Sequence, residues 1–137
     1  MSWSDAYLGI PHRDLGRDRR GCDCWGLIRL VYAGEMGIDL PAYDGDYPSA
    51  LESREVASLV DQVAMPPVWV PVSDPRPMDV LIFRRGPWRS HVGLVVTGTA
   101  MLHMSGSGSR IEASNAPRWV RRLTGIMRHC SRLEAAA

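Results

Sequence analysis

Arg19–Gly37, RRGCDCWGLIRLVYAGEMG, is the stretch on which the fold turns. A glycine-containing loop gives way at Asp23 to a run in which Ile28, Leu30, Val31 and Tyr32 surround a helix that is apolar on most sides. Asp is favoured where helices start and Gly just past where they end, so Asp23 and Gly37 bracket a buried central helix from Asp23 to Met36. Cys24 falls in its first turn, where unpaired N–H groups and the positive end of the helix dipole favour thiolate over thiol. Cys24 is therefore a candidate nucleophile, although a small buried apolar cysteine would suit the same position.

Upstream, Met1 to Arg20 is polar and broken by Gly9, Pro11 and Gly16, which reads as a short helical turn followed by loop, with regular structure starting after it. Downstream, IDLPAYDGDYP is a loop, and Ser53 to Val63 places Val56, Leu59, Val60 and Val63 at the spacing of a second, amphipathic helix. MPPVWVPVSDPRP is a proline-rich connector that cannot hold a central strand. Five short β-type runs follow: Asp79 to Phe83, His91 to Val96, Ala100 to Met104, Ser109 to Ala113 and Leu123 to Met127. Helices first and strands afterwards predict an α+β domain, a central helix on an antiparallel sheet of about five strands. At 137 residues the whole chain, 1–137, is a single domain's worth, and RLEAAA at its end is left out of the functional reading.

Sixteen basic residues against fifteen acidic ones leave a net charge of +1, so no phosphate-tracking surface and no nucleic-acid partner are expected. All the basic residues are arginines scattered among acids, a pattern that reads as codon bias rather than an anion site. No run approaches the ~18 apolar residues that cross a bilayer, so membrane insertion is not expected either. No apolar segment of signal-peptide type opens the sequence, which predicts synthesis in the cytoplasm without a secretory signal. Three cysteines are an odd number, and Cys22 and Cys24 are too close to bridge comfortably, which argues against a disulfide scaffold. Trp25, Trp69, Trp88 and Trp119 read as core or rim packing.

His91 follows the turn-like GPWRS, a placement that would set its ring at the edge of the sheet. His103 lies in the next strand, and a hairpin through Thr97-Gly98-Thr99 would bring it alongside His91. A cysteine with two histidines suits acyl transfer: one imidazole takes the thiol proton and the other fixes its tautomer. Two histidines on adjacent strands also suit an ordinary surface. Cys22, Cys24, His91 and His103 are ligand types that zinc accepts, but the C-x-C spacing departs from the C-x₂-C of structural sites, so no metal and no cofactor are assigned. His12 and His129 have no comparable placement.

Taken in order, GCDCWGLIRLVYAGEMGIDLP, MDVLIF, SHVGLVV and MLHMSG resemble the NlpC-type cell-wall endopeptidases of the papain-like superfamily, above all the short versions encoded in bacteriophage and gene-transfer-agent tail clusters. The resemblance covers Tyr7 to about His129. It implies a papain-like NlpC-type fold in which Cys24 is the nucleophile, His91 the base and His103 the orienting residue, with no cofactor. It also implies hydrolysis of amide bonds in peptidoglycan stem peptides, typically between D-glutamate and a diamino acid, with Asp23 facing the substrate's ammonium group. Trp25 and Ser90 would flank the bound peptide. As a tail component the protein would have particle proteins as partners and be delivered from the cytoplasm with the virion or tail-like particle to the periplasm or cell wall. Three positions depart from the family pattern: Trp25 stands where a small serine is usual, Pro11-His12 replaces Pro-Tyr so that Tyr7 becomes the substitute tyrosine, and Met78-Asp79 replaces Gly-Asp. Two other classes fit the same residues: a catalytically silent tail-tip module that binds peptidoglycan or plugs the tube, and a thiol amidase or acyltransferase with another acyl substrate.

Overall fold

Asp23 begins the central helix as its residue type predicts. Its Oδ1 accepts from the Gly26 N–H at 2.7 Å and its carbonyl accepts from Leu27 N–H at 3.0 Å, so two of the first-turn donors are satisfied by one residue. The regular helix α1 is Cys24–Val31, followed by a single π-helical segment, Tyr32–Met36, that ends at Gly37 with φ +65°. The structure, a computed structural model, describes residues 3–13, 17–40, 69–85 and 88–132, with the backbone alone for 17, 85 and 88–90. The helix expected over Ser53 to Val63 lies outside the described residues.

Eight strands are present among the described residues. Arg17–Asp18 (β1) and Gly21–Cys22 (β2) form a two-residue hairpin, so ordered pairing begins before Arg20 and earlier than expected. Trp69–Pro71 (β3), Val80–Arg85 (β4), Trp88–Thr97 (β5), Ala100–Ser105 (β6), Gly108–Ala113 (β7) and Leu123–His129 (β8) form one antiparallel sheet in the order β3-β8-β4-β5-β6-β7. The five expected runs are five of its strands. The sixth, β3, emerges from the proline-rich connector and keeps to an edge, where a Pro71 without an N–H is tolerated. Along the opposite edge runs the N-terminal segment: Gly9 N–H donates to Ser109 O, and Ser109 N–H to Ile10 O. These two bonds cover the edge of β7 at Ser109.

The helix rests on one face of the sheet. Cys24, Trp25, Leu27, Ile28 and Val31 join Val80, Ile82, Val92, Leu94 and Leu102 in the main core. Trp25 and Tyr32 pack on Trp69 with ring centroids 6.2 and 5.7 Å apart, tying the helix to the edge strand. A second, smaller cluster holds Leu81, Phe83, Val95, Met101 and Trp119, the last carried on the four-residue helix α2, Pro117–Val120.

Position 78 explains why glycine would be natural before β4. Met78 has φ +78°, a left-handed conformation that glycine adopts freely and that strains a side chain. Met78 is nonetheless buried in the main core, and its carbonyl accepts a 2.6 Å hydrogen bond from the Tyr32 hydroxyl. Core packing and that bond hold the strained turn in place.

Candidate active site

Cys24 occupies the first position of α1, and α1 packs against β5 and β6, the strands that carry His91 and His103. His91 does not open its strand at the sheet's edge. The hairpin between β4 and β5 continues through Trp88↔Arg85, so His91 is the fourth residue of β5, paired with Phe83 in the middle of the sheet and only 3% exposed. Aromatic and β-compatible residues in WRS extended the strand past the turn signal of Gly86-Pro87.

The β5–β6 turn, with Gly98 at φ +55°, returns the chain so that His103 pairs with Gly93. Side chains alternate along a strand, so His91 and Gly93 share a face, and His103 stands diagonal to His91. The two rings meet: His91 Nε2 and His103 Nδ1 are 3.1 Å apart. Glycine at 93 makes room for this, because a β-carbon there would lie 3.0 Å from Met101 Sδ and 3.5 Å from His103 Cβ. With Nε2 of His91 engaged with His103, Nδ1 is the ring nitrogen through which His91 would act as a base toward a thiol.

The imidazoles are walled by aromatic rings. Trp119 stacks on His91 at 5.3 Å with 17° between planes, stands edge-on to His103 at 5.1 Å, and packs on Phe83. Beyond His103 lies a carboxylate the sequence reading had passed over. Glu112 Oε2 is 3.3 Å from His103 Nε2, accepts from the Trp119 indole N–H at 2.6 Å, and meets the Arg118 guanidinium at 3.0 Å. Its only signal in the sequence is its place in SRIEA, the strand after His103.

The remaining candidates are distributed differently. Asp23 is fully buried and caps α1. Trp25, also fully buried, sits in the core against Trp69, so it packs and offers no surface to a ligand in this structure. Tyr7 is not brought to Cys24: its hydroxyl donates to Glu35 at 2.9 Å, eleven positions along the chain, or about 16 Å at a helical rise of ~1.5 Å per residue. Of Ser90 the backbone alone is described, within β5. His12, set aside on sequence grounds, lies against the nucleophile loop: its backbone bridges to Cys22, with Cys22 N–H donating to Pro11 O and Arg13 N–H to Cys22 O, both at 3.0 Å. His129 packs on Tyr32 and Trp69 in the core, and none of the three cysteines forms a disulfide.

The NlpC/P60 family profile matches residues 9–128. This chain belongs to the NlpC/P60 family. Over 127 residues, 92% of the chain, it is 28% identical to an Escherichia coli protein named murein DD-endopeptidase MepS/murein LD-carboxypeptidase, and it is 29% identical over 115 residues to the Mycobacterium tuberculosis peptidoglycan endopeptidase RipB. It spans 59% and 40% of the length of those relatives. Among solved structures, the NlpC/p60 domain of the peptidoglycan hydrolase SagA superposes with a TM-score of 0.62 at 21% identity, covering 91% of this chain and 92% of that one. An NlpC/P60 family protein from Bacillus cereus gives 0.64 at 22% identity, covering 92% of this chain and 37% of the other. The fold is thus the papain-like NlpC/P60 fold.

Two histidines of this NlpC/P60 domain make its stability depend on pH. Burial holds both His103 and His129 below the ordinary value of 6.5, and in His103 the neighbouring Glu112 does not overcome it. The unfolded chain therefore takes up protons at these positions before the folded one does. Stability is fully present above about pH 6.5 and declines as pH falls below it. The melting temperature, followed from pH 8 to pH 5, is expected to start falling near 6.5; a flat profile would contradict the neutral, buried state of these rings.

Proposed function

We propose that this chain is a cysteine peptidase that hydrolyses amide bonds in peptidoglycan stem peptides, with Cys24 as nucleophile, His91 as base and His103 as the residue that orients His91. The observation that carries the reading is the 3.1 Å contact between His91 Nε2 and His103 Nδ1 on the strands against which the Cys24 helix packs. The names of the curated relatives, murein and peptidoglycan endopeptidases, support the substrate class.

His91 Nδ1 takes the Cys24 proton, and the thiolate at the helix start attacks the amide carbonyl. The oxyanion that forms is met by the Cys24 backbone N–H, one of the first-turn donors that the helix itself does not use. The His91 imidazolium then protonates the leaving amine, a thioester remains on Cys24, and His91-activated water releases the acid. Asp23 lends negative potential toward the substrate's ammonium group.

The bond cut is proposed as the one between D-glutamate and the diamino acid, and the setting as a phage tail or gene-transfer-agent particle that opens the wall locally. The likeness of GCDCWGL, SHVGLVV and MLHMSG to the tail-encoded branch supports that setting. A second reading of the bond follows from MepS, whose name specifies DD-endopeptidase and LD-carboxypeptidase activity. Mass spectrometry of products from purified sacculi separates the two. A sugar-linked stem ending at D-glutamate is expected; a cut between two D-centres or loss of a terminal residue would replace the first reading with the second, and intact stem peptides freed from sugar would make the protein an amidase.

A further inference from the structure

We propose that Glu112 is a positioning residue for the peptidase site, setting the tautomers of both histidines so that His91 presents its Nδ1 lone pair to Cys24. This deepens the peptidase reading and rests on it. Glu112 lies on β7 two residues beyond Arg110, the register partner of His103, and so stands diagonal to His103 across the β6–β7 pair. Its Oε2 is 3.3 Å from His103 Nε2, long and poorly aligned for a hydrogen bond in the resting structure. Catalytic contacts of this kind commonly tighten when substrate binds.

The direction of the relay follows from donors and acceptors. Trp119 Nε1 can only donate, as can the guanidinium groups of Arg118 and Arg110, which approach Glu112 at 3.0 and 3.4 Å. A carboxylate surrounded by donors stays ionised and offers only lone pairs. Burial alone would raise the Glu112 pKa, but the Trp119 bond and the neighbouring cations outweigh it and hold the group below its ordinary value.

A lone pair on His103 Nε2 facing that carboxylate would be repelled, and an N–H would be attracted. The neutral His103 ring therefore carries its proton on Nε2, which leaves Nδ1 as an acceptor. The partner of that acceptor is His91 Nε2, so His91 must carry its proton there. The one lone pair remaining on His91 is then at Nδ1. Without Glu112 the two rings could trade donor and acceptor roles, and part of the population would hold the proton on His91 Nδ1, where it cannot act as a base.

Two measurements on the whole protein test this. Nitrogen-15 correlation spectra of the neutral histidines in the wild type are expected to show Nε2–H tautomers for both His91 and His103; an Nδ1–H tautomer at either overturns the proposal with no variant needed. The pH profile of iodoacetamide alkylation, mapped by mass spectrometry, then compares wild type, Glu112→Ala and Glu112→Gln. Glu112→Ala is expected to mix the tautomers and to slow Cys24 alkylation at neutral pH by roughly ten- to a hundredfold, the range seen when partners that orient a working ligand are lost. Glu112→Gln keeps an amide oxygen that can accept from His103 and should restore most of the tautomer preference. Unchanged tautomers and an unchanged Cys24 profile in Glu112→Ala overturn the proposal. Wild-type Cys24 that labels no faster than exposed Cys130 would instead count against the peptidase reading, while the tautomers still decide the role of Glu112.

Discussion

Cys24→Ala is expected to release soluble muropeptides from purified sacculi at least about a thousandfold more slowly than the wild type, which in that assay means no detectable release. The size of the loss follows from the mechanism: Cys24 is the thiol at the start of α1, and removing the nucleophile from a comparable serine hydrolase costs about six orders of magnitude. The substitution is mild for the fold. Alanine is the best helix former, Cys24 is the first residue of α1, and only a small buried sulfur is lost, so stability should change by about 1 kcal/mol. A melting curve close to that of the wild type beside absent muropeptide release would tie the chemistry to the sulfur. Release that survives in Cys24→Ala would remove the nucleophile from the account. If the wild type itself binds sacculi but cuts nothing, the tail-tip binding module becomes the better description.

How far the site was legible in the sequence depended on how local its determinants were. Asp23, Cys24 and Gly37 act within a few residues of their own helix, and their residue types announce a cap, a first turn and a left-handed stop. The strands after Asp79 were legible for a similar reason, since apolar runs between turn residues carry their own period. His91 was found but misplaced, because WRS extends β5 beyond the glycine and proline that suggested its start. Strand β3 went unread because three residues that end in Pro71 have no strand signature, and an edge position becomes visible only once β8 is there to pair with it. Glu112 and Trp119 depend on tertiary placement. A diagonal across two strands and a four-residue helix folded over a histidine leave no trace at fixed spacing, so Glu112 and Trp119 join the histidines only in the folded chain. Tyr7 shows the opposite error: its type fitted the vacancy left by Pro11-His12, but its hydroxyl is committed to Glu35.

Asp79→Asn is expected to cost about 3–5 kcal/mol of stability, the range for removing one partner of a buried ion pair. Asp79 accepts from Arg128 through both oxygens, Nε at 2.9 Å and Nη2 at 2.8 Å, and its Oδ2 also accepts from the Arg76 N–H at 2.8 Å. The side chains of Arg128 and Asp79 are 9% and 1% exposed. Asparagine would keep one acceptor but present an NH₂ to the guanidinium, leaving a cation with the Asp74 carbonyl at 2.9 Å and the weaker pull of the Asp74 charge in place of a bidentate carboxylate. The urea midpoint should fall with an unchanged slope, and the melting temperature should drop by roughly 10–20 °C. Pairing it with Arg128→Met should recover much of the loss, since the penalty comes from the unpaired charge rather than from a missing attraction. This pair also separates fold from chemistry: Asp79, just before β4, is four residues from Phe83, the strand partner of His91, or about 14 Å at ~3.4 Å per residue. Folded Asp79→Asn protein should therefore cut at close to the wild-type rate per molecule, and a large loss of rate in fully folded protein would mean that the Asp79 turn shapes the site as well as the sheet.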